Sequence, residues 1–355
     1  MKRNPEDTVL IRDATEADNE GLLKLISFST MPGRISIQVD RKPDFFRLLK
    51  RKGKYFVKAA EAEGRIVGSI SVVEVDVFID SKPVKAHYAG DFRVHPDYRS
   101  TGLAVRLVEE AYQQSVSQGA ALFFGVLVMG NKAAASYLSG KLSVPPISEG
   151  SIFHVFQIIP CSKPIKYRKY NIDTIADFDF GMFRQAIKQY RFAPNYRDEI
   201  YQDTKIICAR ENGVVVAALS LADSEDVKQE VLMDVQGYLK SMLKLAGWIN
   251  RINSRISLPQ PGEHIRILYI RSFYCREGAE DALRALVSQA RVIACQNKYH
   301  FLTVGIDERS NYYRLFSSFP KFTLKSRLYF CNYSIDQEVF DRLQRGVSFM
   351  DYSQV

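Results

Sequence analysis

A short turn at Arg99–Ala104 has the residue types and the spacing that phosphate binding requires. It follows His95-Pro96-Asp97, which ends an apolar stretch, and it precedes a long amphipathic stretch that begins at Leu103. The first turn of a helix leaves several backbone N–H groups unpaired, and these groups and the helix dipole favour an anion. Gly102 lacks bulk, so a diphosphate can approach the backbone, and Arg99 can add a charge-assisted hydrogen bond. The turn therefore predicts a diphosphate site.

Two other kinds of phosphate loop fit this turn poorly. A nucleotide P-loop requires Lys and Ser or Thr directly after its last glycine, whereas Leu103-Ala104 follow Gly102. A dinucleotide-binding fold requires the G-x-G-x-x-G pattern after its first strand, and this turn has a single glycine. Neither of these two nucleotide-binding patterns therefore accounts for the turn.

The turn resembles motif A of the GNAT acetyltransferase superfamily, Gln/Arg-x-x-Gly-x-Gly/Ala, with Arg99, Gly102 and Ala104 in its fixed positions. The preceding stretch Val94–Tyr98 is similar to the family's approach to that motif. The resemblance covers residues 8 to about 158. It implies that acetyl-CoA or another acyl-CoA is the co-substrate and that the acyl group passes directly to a small-molecule or peptide amine, with no metal.

The resemblance also implies how the cofactor is held. The backbone from Phe92 to Val94 is expected to pair with the pantetheine arm, and the next strand, Phe124–Val128, is expected to splay away and open a slot for the thioester. The cofactor-binding residues that we predict are Phe92, Arg93, Val94, Arg99, Ser100, Thr101, Gly102, Leu103, Ala104 and Asn131.

Acyl transfer to an amine needs a base, because the amine is mostly protonated near neutral pH. His87 and Asp91 are the candidate bases, and they lie four residues apart on the strand before the turn. They share a face of the strand unless a bulge intervenes, and Gly90 can mark such a bulge. For each residue a purely structural role stays open.

Tyr137 is the candidate acid for the departing thiolate. The family's second signature is Asn, then Ala three residues on and Tyr seven residues on. Asn131 and Ala134 match it, but position 138 is leucine and Tyr137 comes one residue early. One residue turns a side chain by about 100° around a helix. A core tyrosine is therefore an equal alternative, while Asn131 can cap the helix or touch the cofactor.

The order of predicted elements indicates an α/β protein with two tandem GNAT-like domains. We expect a catalytic acyl-CoA-binding domain over residues 1–160, a linker over 161–170 and a degenerate GNAT-like domain over 171–355. In the first half a helix is predicted from Pro43 and a hairpin over Tyr55–Val77. In the second half a helix is predicted from Ser224 to about Asn250, and the later order repeats that of the first half at domain scale.

The turn of the second half, Cys275–Asp281, departs from motif A. Arg276 and Gly278 are one residue too close, and Glu277, Glu280 and Asp281 would repel a diphosphate. We therefore predict that this half does not bind CoA productively and instead shapes the acceptor pocket.

Composition restricts the remaining choices. Hydrophobic residues make up 46% of the chain and charged residues 25%, as in ordinary globular proteins. No apolar run is long enough for a membrane span, and the five scattered cysteines argue against a zinc site and against disulfides, which favours the cytoplasm.

The net charge of +9 permits binding of nucleic acid, but the CoA turn makes transfer from aminoacyl-tRNA a weaker hypothesis. A non-catalytic acyl-CoA-binding or interaction module is the main alternative. The oligomeric state and the acceptor are not specified by the sequence.

Overall fold

The computed structural model describes residues 9–28, 35–99, 101–130, 147–165, 167–223, 229–235 and 259–355. Its strands are β1 Leu10–Asp13, β2 Ile35–Asp40, β3 Tyr55–Ala62, β4 Arg65–Ile79, β5 Lys82–Val94, β6 Leu122–Val128, β7 Ser148–Ile158, β8 Asn171–Ile175, β9 Phe192–Pro194, β10 Lys205–Glu211, β11 Val214–Asp223, β12 Gln229–Val235, β13 His264–Ile265, β14 Ile267–Cys275, β15 Phe301–Asp307 and β16 Lys321–Asn332. Its helices are α1 Asn19–Ser27, α2 Arg47–Lys52, α3 Leu103–Ser117, α4 Gly181–Lys188, α5 Glu280–Gln296, α6 Tyr313–Ser317 and α7 Gln337–Arg345. None of these described helices is long and apolar enough to cross a membrane.

The first half is a meander of antiparallel strands followed by a crossover helix. β3 and β4 form the predicted hairpin, which turns at Glu63-Gly64, and β5 continues the sheet. Helix α3 packs its apolar face on β4, where Leu107 lies so close to Gly68 that a Cβ there would be 2.7 Å from Leu107 Cδ1. Glycine at position 68 therefore allows the helix to approach the sheet. The helix leads to β6, which runs parallel to β5.

The second half repeats this order. The β10–β11 hairpin turns at Asn212-Gly213, β14 pairs with β11, and helix α5 leads to β15, which runs parallel to β14. Helix α5 buries its apolar face in the largest hydrophobic core of the described chain. The predicted mixed α/β class with a repeated domain is confirmed.

The two halves share one sheet of thirteen strands because they exchange their last strands. β16, from the end of the chain, lies between β6 and β7, and β7 lies between β16 and β15. Each half is thus completed by a strand of the other. The segment 161–170, predicted as the linker, lies between β7 and β8, and the sheet continues across both halves.

A small second sheet also joins the halves, and it corrects one sequence prediction. Residues 229–235, which lie within the helix predicted from Ser224 to Asn250, form strand β12 and pair with β2 and β13. The other residues of that predicted helix lie outside the described chain. Strand β2 was not predicted at all. Its partner lies almost two hundred residues away in the sequence, so no local pattern identifies it.

The helix predicted from Pro43 begins later, at Arg47. Pro43 follows a cis peptide bond and belongs to the turn before the helix. The side chain of Asp44 accepts a hydrogen bond from the Phe46 backbone N–H at 2.8 Å and holds this turn. Such a local side-chain bond competes with the helical pattern and delays its start.

Candidate functional site

The predicted phosphate turn lies between β5 and α3. One turn of 3-10 helix at Pro96–Tyr98 leaves β5, and Gly102 then adopts a φ of 70° directly before Leu103. This left-handed conformation is strained for residues with a side chain, so the turn requires glycine. A Cβ built on Gly102 would meet no atom within 4 Å, which leaves the backbone open to a ligand.

The side chains around the turn divide into two groups. Leu103 and Ala104 are buried against the sheet, so they can offer a ligand only their backbone N–H groups. Arg99 is exposed, and the first turn of α3 carries no acidic residue. The helix N-terminus therefore combines open donors with positive charge, as an anion requires. Ser100 lies outside the described residues.

The predicted slot is present where β5 and β6 part. The two strands pair only from Ala86 opposite Leu122 to Ala89 opposite Gly125. Beyond these pairs β5 continues to Val94 and β6 to Val128 without pairing to each other. At Phe92–Val94, the segment that was expected to receive the pantetheine arm, β5 does not pair with β6.

An apolar cavity of about 100 Å³ lies at this separation. Its lining includes Ala89 and Phe92 of β5, Gly125 and Val126 of β6, Val108 of α3 and Cys331 of β16. Since β16 comes from the end of the chain, the second half supplies one wall of the slot.

A bulge in β5 changes the relation between the two candidate bases. Gly90 lies opposite Ser71 and Arg93 lies opposite Ser69, so Asp91 and Phe92 together face Ile70. Asp91 has a φ of 49°, as an extra residue in a bulge can have. Because of this bulge, His87 and Asp91 do not share a face of β5.

His87 lies on the face of β5 that α3 covers. Its side chain is 1% exposed and packs near Phe56, whose ring centroid is 6.3 Å away. Burial lowers the pKa of His87, and among the described residues its Nδ1 has no hydrogen-bond partner.

Asp91 lies on the other face, in an ion pair. Its Oδ1 is 2.7 Å from Nη2 of Arg41. Burial alone would raise the pKa of the Asp91 carboxyl, but Arg41 and Arg93 outweigh burial and lower it. Asp91 is thus ionised at neutral pH and held by a neighbouring guanidinium.

A larger cavity of about 770 Å³ opens between the halves on this second face. Lys52 and Tyr88 line it from the first half, and Tyr196, Arg271 and Asp351 line it from the second. The buried carboxylate of Asp351 accepts hydrogen bonds from Tyr196 Oη and from Arg271 Nε, each at 3.1 Å. The polar wall contributed by the second half is therefore fixed in position.

The sequence prediction missed all five of these residues. A strict two-residue period along β5 places Tyr88 on the face opposite Asp91, and only the bulge brings the two residues to the same face. Arg271 and Asp351 are eighty residues apart, and no spacing signal connects them.

The corresponding turn of the second half also contains a glycine with a positive φ, but its surroundings differ. Gly278 has a φ of 74°, close to that of Gly102. Glu280 and Asp281 occupy the first turn of α5, where they disfavour an anion. The region equivalent to the slot is filled, because Phe273 packs against Tyr312 at 5.1 Å and against further aromatic rings.

Two predicted residues of the second signature, Asn131 and Tyr137, lie outside the described residues. Within the described ranges, no group of three or more His, Cys, Asp or Glu side chains is placed to hold a metal ion.

Comparisons with known proteins agree with this geometry. Residues 22–139 match the model of the acetyltransferase (GNAT) family. No curated protein matches the chain. Among solved structures, the Saccharomyces cerevisiae N-myristoyltransferase with bound myristoyl-CoA is similar at a TM-score of 0.61 and 12% identity, over 95% of this chain and 88% of that chain. A GCN5-related N-acetyltransferase from Anabaena variabilis is similar at a TM-score of 0.51 and 11% identity, over 91% and 72%.

At these identities the structural similarity establishes the fold, and the family match adds the sequence evidence for the first half. The matched residues 22–139 include the phosphate turn, the bulge in β5 and the point where β5 and β6 separate. Residues 22–139 thus match the acetyltransferase (GNAT) family, and the chain shares its fold with these solved acyltransferases.

Proposed function

We propose that this protein is an N-acyltransferase that moves an acyl group from acetyl-CoA or another acyl-CoA directly to an amine acceptor. The observation that carries the proposal is the slot between β5 and β6, which opens beside the phosphate turn of α3. A diphosphate on the turn and a pantetheine arm on the edge of β5 would place a thioester where the strands part.

In this proposal the predicted cofactor residues have separate tasks. Backbone N–H groups from Gly102 to Ala104 bind the diphosphate, Thr101 lies beside them in the turn, and Arg99 adds charge. The backbone of Phe92, Arg93 and Val94 pairs with the pantetheine arm. Ser100 keeps its predicted role in the phosphate turn, and Asn131 keeps its predicted role of capping a helix or touching the cofactor.

The acceptor is proposed to enter through the cavity between the halves. This cavity reaches Tyr88 and Phe124, which are paired in register one residue before the strands part. The acyl-CoA donor and the amine acceptor would therefore approach each other from opposite faces of the sheet. The size of the cavity, about 770 Å³, suits an amine with a substantial body, since ligand pockets for drug-sized molecules have ~300–1,000 Å³.

Of the two candidate bases, Asp91 is the better placed, because it lies on the face of the acceptor cavity. Its ion pair with Arg41 makes it a weak base, so its proposed task is to orient the ammonium or a water molecule rather than to set the pH dependence. His87 is proposed to be structural, since α3 and Phe56 cover it. The role of Tyr137 as the acid stays a prediction.

A thiol-release screen tests this function. Acyl-CoA donors from acetyl to myristoyl are offered with a broad panel of amines, since a structurally similar protein binds myristoyl-CoA. We expect CoA release that depends on the acceptor and that Gly102→Glu abolishes, because the new carboxylate would occupy the phosphate turn. Binding of acyl-CoA without release of thiol over the whole panel would favour the non-catalytic binding module instead.

A further inference from the structure

Tyr88 carries its hydroxyl group to the point where β5 leaves β6. The residue pairs with Phe124, one position before the last parallel pair. Its ring lies along the strand over Gly90, because a Cβ built on Gly90 would be 3.2 Å from Tyr88 Cε1 and 3.7 Å from its Oη. Glycine at position 90 thus leaves room for the ring, and the hydroxyl lies beside the bulge.

The ring of Tyr88 is held on both sides. Its centroid is 5.4 Å from that of Phe124, and Nζ of Lys52 lies 5.1 Å from it in a cation–π contact. Tyr88 also lines the cavity between the halves. Among the described residues its hydroxyl has no hydrogen-bond partner. A rigidly held donor with no partner at the edge of a cavity is available to a ligand.

The charges around Tyr88 favour a negative group nearby. The pKa of Tyr88 is affected by the charges of Arg41, Arg93 and Asp91, and the ammonium group of Lys52 lies over its ring. Two guanidinium groups thus face one carboxylate, and Arg41, which is only 7% exposed, has Nε and Nη1 without partners in the described chain. Positive charge in a dry site stabilises an oxyanion more strongly than it would in water.

We propose that Tyr88 is a catalytic residue that donates a hydrogen bond to the oxyanion formed when the amine attacks the thioester. This inference rests on the proposed function. The nitrogen forms a bond to the carbonyl carbon, the C–S bond breaks and its electron pair goes to sulfur. The proton that nitrogen loses is the one that sulfur gains, and Tyr88 keeps its own proton throughout.

A hydrogen-bond donor suits this tyrosine better than a proton donor does. Burial raises the pKa of Tyr88, and Asp91 adds to the shift while Arg41 and Arg93 oppose it. A thiol has an ordinary pKa of ~8.5 and a phenol one of ~10. Transfer of the phenol's proton to a thiolate is therefore unfavourable, and burial makes it more so. The hydroxyl stays protonated and can donate over the whole working range of pH.

The test compares Tyr88 with a tyrosine that lines neither cavity. Tyr88→Phe removes a hydroxyl that has no partner in the described chain, and Tyr313→Phe removes a hydroxyl that lies 3.2 Å from His154 Nδ1. We expect Tyr88→Phe to lower kcat by roughly 10²–10³-fold, the usual loss for one oxyanion donor, with KM for the acyl-CoA and its thermal shift unchanged. Tyr313→Phe is expected to keep kcat within about threefold.

Each outcome of this test is decisive. Full activity of Tyr88→Phe, or an equal loss in both variants, would overturn the role of Tyr88 and leave the acyltransferase function intact. A falling limb in the wild-type kcat profile between pH 7 and 9 that Tyr88→Phe removes would show that Tyr88 gives up its proton, which contradicts the proposal. Absence of thiol release by the wild type would overturn the proposed function and this inference with it.

Discussion

At the scale of single residues, one backbone conformation decides which side chains of β5 lie on the face of the cavity between the halves. Asp91, with its φ of 49°, shifts the alternation of β5 by one residue. His87 stays under α3, while Asp91 joins Tyr88 on the face of the cavity. The sequence marked Gly90 as a place for a bulge, but the extra residue is Asp91. The bulge is defined by pairing with β4, and that pairing cannot be read from β5 alone.

These residues predict an unusual pH dependence. Neither Asp91 nor Tyr88 supplies a base tuned near neutral pH, because Arg41 and Arg93 outweigh burial and lower the pKa of Asp91, whereas burial raises that of Tyr88. The reaction should therefore depend on how much of the acceptor amine is already neutral. For an amine with a pKa of ~10.4, log(kcat/KM) should rise with a slope of about one from pH 6 to 8.5.

Steady-state rates over that pH range check this prediction. An acceptor of lower pKa serves as the control, since its profile should level off earlier, near its own pKa. A level profile above about pH 6.5 for both amines would show that a base with a pKa near that of histidine acts in the site, against our placement of His87.

At the scale of elements, local patterns predicted most strands and helices but not their partners. Alternation and turn residues identified β3–β5 and β10–β11, and the helical period identified α3 and α5. The positions of β7 and β16 could not be predicted, because each pairs with strands of the other half. The pairing of β2 with β12 was missed for the same reason.

The strand exchange predicts that the first half does not fold alone. In a fragment of residues 1–160, β6 loses its partner β16, and β7 loses both β15 and β16. Exposed strand edges and an open core should leave this fragment aggregated or without a cooperative transition. Urea unfolding followed by circular dichroism, with the full chain as the control, measures this. A soluble fragment that unfolds cooperatively and binds acyl-CoA would contradict the account.

At the scale of the whole molecule, the two halves share a fold but differ in what occupies the slot. In the first half the separation of β5 and β6 contains a cavity, and the helix after it starts without acidic residues. In the second half aromatic rings around Phe273 fill the equivalent space, and Glu280 and Asp281 begin the helix. The sequence predicted the difference in charge, whereas the aromatic filling depends on residues from three separate segments. We therefore expect one acyl-CoA per chain.

Gly102 and Gly278 provide a matched pair for testing whether each chain binds a single acyl-CoA. Both have a φ near 70° in the turn before a long helix, and a Cβ on either would meet no atom within 4 Å. Replacement by glutamate therefore imposes similar backbone strain at the two sites. Any difference between the variants reports on the ligand rather than on folding.

The most direct measurement is a calorimetric titration of acyl-CoA into the full-length protein and these two variants. The account predicts a stoichiometry of about one for the wild type, the same stoichiometry and affinity for Gly278→Glu, and no binding for Gly102→Glu. A stoichiometry of two, or unchanged binding by Gly102→Glu, would contradict a single donor site at the phosphate turn of the first half.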